Sequence, residues 1–239
     1  MHRLPLLRRL SPLFVLAATA GGLATVAAPV HADAQPTPQA PSAPPAAAAQ
    51  AVANVQSFYD RSTTFKADFR QKFTAKAYNH EQASHGHVTF AKPGKMDWHY
   101  DDPANNRVVS DGSIIKVYEA NNKQMYEQHV DKSQYPVALS FLTGSGKLSD
   151  AFDFQLFPGE TMNFPGGQVL VGTPKQASPD ASKVLFYVDT ATSQVRRVMI
   201  IDGQGNRNRF DFDNPKINEP VADAQFQFTP PAGTSIVHP

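Results

Sequence analysis

The chain has 239 residues, with 22 Lys and Arg, 21 Asp and Glu, 8 His and no Cys, for a formal net charge of +1. A balance this close to neutral excludes a strongly basic nucleic-acid binder. The absence of Cys excludes a disulfide framework, a thiolate metal site, a cysteine nucleophile and a lipid-bearing cysteine at the mature N-terminus.

Residues 1–32 carry Arg3, Arg8 and Arg9, then the apolar run 13–28, then Val30-His-Ala32 with small residues where a signal peptidase reads. This pattern predicts a secretory signal peptide cleaved after Ala32. Thr19, Gly21, Gly22, Thr25 and Pro29 dilute the run below the apolar length a membrane anchor needs. Arg8-Arg9 leaves a twin-arginine route open beside the general one. Processing removes three of the 22 basic residues and none of the 21 acidic ones, leaving 19 against 21, a net charge of about −2. Residues 33–49 are rich in Pro, Ala and Gln and read as an extended linker. The remainder, 50–239, fits one domain, and no repeat of 20–50 residues is visible.

Val52, Val55 and Tyr59 recur at three and four, so 46–61 is expected to open the domain as an amphipathic helix. The period then changes to two. Phe65, Ala67, Phe69 and Phe73 alternate with Lys66, Asp68, Arg70 and Lys72, which predicts a half-buried strand. Further strands are expected at 85–91, 95–100, 107–110, 114–119 and 123–128, joined by turn formers such as Pro93-Gly94 and Asp111-Gly112. In the third strand Met96, Trp98 and Tyr100 share one face, and Asp97 and His99 take the other.

Residues 136–142 interrupt the meander, being apolar on nearly every side, and predict a short helix against an apolar surface. Strands resume at 152–157, 168–171, 183–189, 194–202, 206–212 and 224–228, with Gly203-Gln-Gly205 as a hairpin signal. The class is mainly β, an antiparallel meander of about eleven strands with one or two helices.

Catalytic constellations are missing. Gly144-Ser-Gly-Lys147 is similar to the end of a phosphate loop, but Phe141 occupies the first glycine position and Leu148 replaces the magnesium-binding hydroxyl, so it reads as a helix-ending turn. Neither a Gly-x-Ser-x-Gly elbow nor a His-Glu-x-x-His motif occurs. His85 and His87 face one way and could chelate a metal with His80 or His99, yet no carboxylate completes a site, and they read as surface histidines. Asp101-Asp102 before Pro103 reads as turn chemistry. The aromatic positions Phe69, Phe73, Phe90, Trp98 and Tyr126 satisfy a filled core. A curved sheet of this size encloses more space than short helices fill, which predicts a ligand-sized apolar cavity.

Four motifs converge on one family. Phe65-x-Ala67-x-Phe69-x-Gln71 after a helix, Lys92-Pro-Gly-Lys-Met-Asp-Trp98, Val109-Ser-Asp-Gly112 and Phe226-Gln-Phe-Thr-Pro-Pro-Ala-Gly-Thr234 resemble the LolA family of periplasmic lipoprotein carriers in the Lol outer-membrane localisation system. The resemblance implies an open antiparallel β half-barrel with a helical lid over its apolar face. It implies a non-enzymatic, monomeric carrier without cofactor or metal, working in the periplasm. Its partners would be acylated lipoproteins, an inner-membrane ABC-type releasing complex and an outer-membrane lipoprotein receptor, with no nucleic acid.

On this reading Phe69, Phe73, Phe90, Met96, Trp98, Tyr100, Tyr126, Phe141 and Leu142 meet the acyl chains. Lys92, at the sheet edge, and Pro93 serve the lid, residues 136–146. Lys92 stands where many relatives have an Arg, and it lacks the planar five-donor fork. The chain also stops soon after Pro230-Pro231, without the C-terminal extension of some relatives, which leaves a separate receptor or unaided delivery. Two alternatives compete: a periplasmic lipid-binding sensor or scaffold of the same fold, and a hydrolase of acyl chains, which lacks a nucleophile motif.

Overall fold

The computed structural model describes residues 43, 45–130, 139–144 and 146–238. The expected signal peptide, residues 33–42 and 44 of the linker and residues 136–138 and 145 of the expected lid lie outside the described residues.

One twelve-stranded sheet organises the domain. Its strands are β1 (Thr64–Ala75), β2 (His80–Ala91), β3 (Lys95–Asp102), β4 (Arg107–Asp111), β5 (Ile114–Glu119), β6 (Gln124–His129), β7 (Phe152–Pro158), β8 (Gly167–Pro174), β9 (Lys183–Asp189), β10 (Val195–Ile201), β11 (Arg207–Ile217) and β12 (Ser235–Val237). Across the sheet the order is β12-β6-β5-β4-β3-β2-β1-β11-β10-β9-β8-β7. The edges, β12 and β7, do not meet, so the sheet is open. Every neighbouring pair is antiparallel except β12 with β6; short connections dictate this for the chain-consecutive pairs, and β1 with β11 is the antiparallel pair formed by strands distant in the chain.

The last strand is not the one expected. Residues 224–228 do not form a strand. A 3-10 turn at Asp223–Phe226 leads into extended chain, and β12 comes later. The polar partners of this segment are side chains rather than a neighbouring backbone: Arg107 donates to Gln225 O at 3.1 Å and Lys116 to Phe228 O at 3.2 Å. Strand β2 also begins five residues earlier than expected. His80, Glu81 and Gln82 carry no apolar alternation, but the hairpin with β1 pairs them in register with Ala75, Thr74 and Phe73.

Helix α1 (Pro45–Arg61) starts inside the expected linker, with Pro45 in its first turn, where a missing N–H leaves no intrahelical bond unmade. Ala48, Ala51, Val52, Val55 and Tyr59 form its buried stripe. It packs on β7 and β8 and meets two short helices, α2 (Ser140–Thr143) and α3 (Leu148–Ala151). Gly144 ends α2 at φ +74°, the left-handed conformation of a helix-ending turn.

Candidate functional site

Alternation in β1 and β3 decides which face is apolar. Phe65, Ala67, Phe69 and Gln71 point to the side covered by α1 and α2, while Lys66, Asp68, Arg70 and Lys72 point away. In β3, Met96, Trp98 and Tyr100 join the first side as expected. Asp97, on the second side, is buried as well, because the C-terminal segment crosses it: Arg107 grips its carboxylate at 2.7 and 2.9 Å, and Gln225 donates to it at 2.6 Å.

The inner face is a continuous run of aromatic rings. Phe69 meets Trp98 and Tyr100, each at 4.9 Å between centroids, and Trp98 meets Phe90 at 5.7 Å and Phe210 at 5.3 Å. Phe65 links Phe90 and Phe212 to Tyr59 of α1. Tyr59 meets Phe141 of α2 edge-on at 4.7 Å, and Phe141 continues to Phe186 on β9. Edge-to-face pairs like these add to the area they bury. Phe69, Phe90, Trp98, Tyr100 and Phe141 are each at most 1% exposed, and Met96 and Leu142 are buried too. The helices therefore close over these side chains, and the rings pack against one another. Phe73 and Tyr126 lie on the same face and are half-buried, Phe73 near the β1–β2 hairpin and Tyr126 level with Trp98, through Val108 and Val117, on the strand next to the β12 edge.

Two polar ties join the cover to the rim near Pro93. The Lys92 ammonium donates a short hydrogen bond to Tyr59 O near the C-terminus of α1, where the helix dipole attracts a cation; the same carbonyl accepts Ser62 N–H at 3.0 Å. Its methylene stem runs past Gly144, close enough that a Cβ there would meet Lys92 Cδ at 2.9 Å. Burial of the ammonium lowers its pKa, with Asp60 acting the other way. Because β2 is an interior strand, Lys92 sits at a strand end on the rim and not on an edge strand. Beyond Pro93, Gly94 N–H donates to Thr143 O of α2 at 2.9 Å. Tyr59 also accepts Val195 N–H at its hydroxyl, 3.1 Å, so one residue ties α1 to β10, to Lys92 and to α2.

Tyr59, Phe65, Phe186, Phe210 and Phe212 belong to this face although they are not among the expected contact residues. Phe65, Phe210 and Phe212 stand at alternating positions within expected strands, and that alternation is a signal that could have found them. Nothing local marks Phe186, since residues 184–188 of β9 are apolar without alternation. Toward the far end the face turns polar: Tyr100 donates to Gln71 Oε1 at 3.1 Å and Gln71 to Asn208 at 2.9 Å. Burial raises the Tyr100 pKa, so its hydroxyl stays a donor. Trp98 differs: its indole Nε1 is buried with no hydrogen-bond partner among the described residues, a condition that typically costs about 1–3 kcal/mol.

The expected histidine pair lies on the opposite face. His85 and His87 are exposed, and register puts His87 Nδ1 at 2.8 Å from Asp68 and Nε2 at 3.3 Å from Asp101.

An open, antiparallel-dominated sheet with an aromatic face under short helices defines a class of mainly β protein whose apolar interior is covered rather than enclosed. The sequence profile described as outer membrane lipoprotein carrier protein LolA matches residues 60–229, most of the chain, and the protein belongs to that family. The outer-membrane lipoprotein carrier protein of Bordetella avium is 28% identical over 183 residues, covering 77% of this chain and 85% of the relative. Its counterpart in Pseudomonas putida strain W619 is 27% identical over 190 residues, covering 79% and 86%. A LolA superfamily protein from Nitrosomonas europaea, known from its crystal structure, aligns with a TM-score of 0.44 at 12% identity, covering 76% of this chain and 97% of that one.

Proposed function

We propose that this protein is a non-enzymatic lipoprotein carrier of the periplasm, binding acyl chains between its aromatic face and the helices that cover it. The observation that carries this reading is the cover itself. Tyr59 and Phe141 fill the aromatic face through ring contacts, while Lys92–Tyr59 O and Gly94–Thr143 O tie the cover to the rim by single hydrogen bonds. Exchanging ring contacts for methylene contacts keeps apolar surface out of water on both sides of the exchange, so loading is close to balanced and reversible. Each acyl methylene withdrawn from water is worth about 0.8 kcal/mol, so an acylated protein released without shelter would insert or aggregate wherever it was set free.

On this reading Phe69, Phe90, Met96, Trp98 and Tyr100 form the floor of the site. Phe141 and Leu142 are its movable filling, and the half-buried Phe73 and Tyr126 line its periphery. Lys92 and Pro93 work the cover. The cargo comes from an inner-membrane ABC-type releasing complex and passes to an outer-membrane receptor. The agreement between this chain and carriers named for outer-membrane lipoproteins, over most of both lengths, supports the assignment. Mass spectrometry of material co-purifying with the mature protein from its native envelope tests it. Acylated lipoproteins are expected in the bound fraction, and only de-acylated proteins or nothing there would overturn the carrier reading.

A further inference from the structure

We infer that Trp98 is a hydrogen-bond anchor for the carbonyl of an acyl ester, so that the site distinguishes acylated glycerol from plain hydrocarbon. The inference rests on the carrier reading and adds a polar specificity element to it. Trp98 is fully buried in the middle of the aromatic face, with Phe69, Phe90 and Phe210 packed around its rings. A buried indole N–H ordinarily finds an acceptor. Two residues further along the same face Tyr100 does so, through Gln71. Trp98 has none among the described residues, and the ring faces near it are weak acceptors at best.

The position matters as much as the orphaned donor. From Trp98, ring contacts run through Phe90 and Phe65 to Tyr59 and then Phe141, so two rings separate Trp98 from the cover that cargo would displace. A hydrocarbon chain entering that space gives the indole nothing. An ester carbonyl gives it an acceptor, and in a dry, apolar surrounding such a bond is stronger than in water. An ether oxygen in the same place is a poorer acceptor. The donor therefore leaves the empty, closed protein with an unmet group and rewards a ligand that carries a carbonyl near its chains.

Trp98 is the sole Trp of the chain, so the indole can be replaced biosynthetically at this position alone. β-(3-Benzothienyl)alanine substitutes sulfur for the N–H with little change of shape. The probes are a cysteine lipopeptide with two ester-linked palmitoyl chains and its dialkyl-ether counterpart of equal chain length, titrated against the mature protein. The native protein is expected to prefer the ester by about ten-fold, the value of one hydrogen bond of ordinary strength. With benzothienylalanine the preference should fall close to one, and the empty protein should melt no lower than the native form. Trp98→Phe should abolish the preference as well. Equal binding of both probes by the native protein, or an ester preference that survives loss of the N–H, overturns the anchor while leaving the carrier reading standing. Failure of the native protein to bind either lipopeptide overturns both.

Discussion

At the scale of single residues, Lys92 and Tyr59 share one junction. The Lys92 ammonium reaches the Tyr59 carbonyl near the end of α1, and the Tyr59 ring and hydroxyl reach Phe141 and the β10 backbone. An ammonium is a compact point charge, and one bond to one carbonyl is what it can offer here; a guanidinium offers several donors held in a plane. Lys92→Met should therefore leave the fold intact, lowering the melting temperature by only about 2–4 °C, since a partly exposed cation is worth about 1 kcal/mol or less. Acceptance and release of acylated cargo should change together in a transfer assay. Lys92→Arg should slow both, by adding donors to the same carbonyls. A melting temperature that collapses in the Met variant along with transfer would make Lys92 a structural residue with no part in the cover. A second residue-scale prediction concerns Asp111, whose carboxylate accepts Ser113 N–H at 2.8 Å and Ile114 N–H at 2.9 Å. The Ile114 bond, with that of Ser113, lowers its pKa in the fold. A carboxyl with a depressed folded pKa stabilises above its unfolded value of about 3.9, and that contribution disappears as pH falls through the folded value. Asp111→Asn, which keeps the acceptor and removes the charge, should be less stable than the native protein near pH 7. The gap measured by denaturant unfolding should narrow once the pH drops below about 4. A gap constant from pH 7 down to pH 3 would mean that the charge has no role in this turn.

At the scale of elements, α2 is the part of the cover that the proposed loading would displace. It is a single turn of helix, too short to be stable from its own hydrogen bonds, so Phe141 and Leu142 hold it down by packing. Such an element leaves the sheet at small free-energy cost when something else fills its place. A cysteine pair joining α2 to the end of β2, which it contacts, should block loading when oxidised and restore it when reduced. The native chain contains no Cys with which either thiol could mispair. Normal loading in the oxidised form would place the mouth of the site elsewhere. The same element shows what the sequence can and cannot reveal. Residues 136–142 are apolar on nearly all sides, which marks a segment buried between two surfaces, and the fold buries Leu139, Phe141 and Leu142. Period-two alternation likewise reveals β1 and β3 and by itself puts Met96, Trp98 and Tyr100 on one face. The first half of β2 and the C-terminal segment are not legible that way. His80–Gln82 are held by backbone pairing alone, and residues 223–228 are held by side chains of distant strands, so neither leaves a local periodic trace. Tyr59 is visible only as one member of a helical stripe; its bonds to Val195 and Lys92 join residues far apart in the chain.

At the scale of the whole molecule, the two faces of the sheet are covered in different ways. The inner cover, α1 and α2, works mainly through apolar packing, whereas the outer one is clamped by charge. The C-terminal segment crosses β3 and β4 with Asp223 bonded to Lys95 at 2.7 Å, Gln225 to the Asp97–Arg107 pair, and Phe228 packed at a tilt against Tyr118 and beneath the Arg107 guanidinium. Ser235–Val237 then closes the edge by pairing with β6. On the proposed carrier reading, a sheet whose inner cover gives way to cargo benefits from an outer cover that stays fixed. Asp97 is the centre of that fixture, 2% exposed and bidentate to Arg107. Removing one member of a buried pair typically costs about 3–5 kcal/mol, because the other charge is left without its partner. Arg107 keeps about a fifth of its side chain in water, so the lower end applies, and Asp97→Ala should lower the melting temperature by roughly 10 °C. Limited proteolysis should then cut within residues 218–234 in the variant and leave that segment whole in the native protein. Binding of acylated lipopeptide, measured well below the new melting temperature, should persist, since Asp97 faces away from the aromatic floor. If the Asp97→Ala variant melts like the native protein, the clamp does not hold the outer cover. If it melts lower and also loses binding, the outer cover is coupled to the site, and the two faces of the sheet do not act independently.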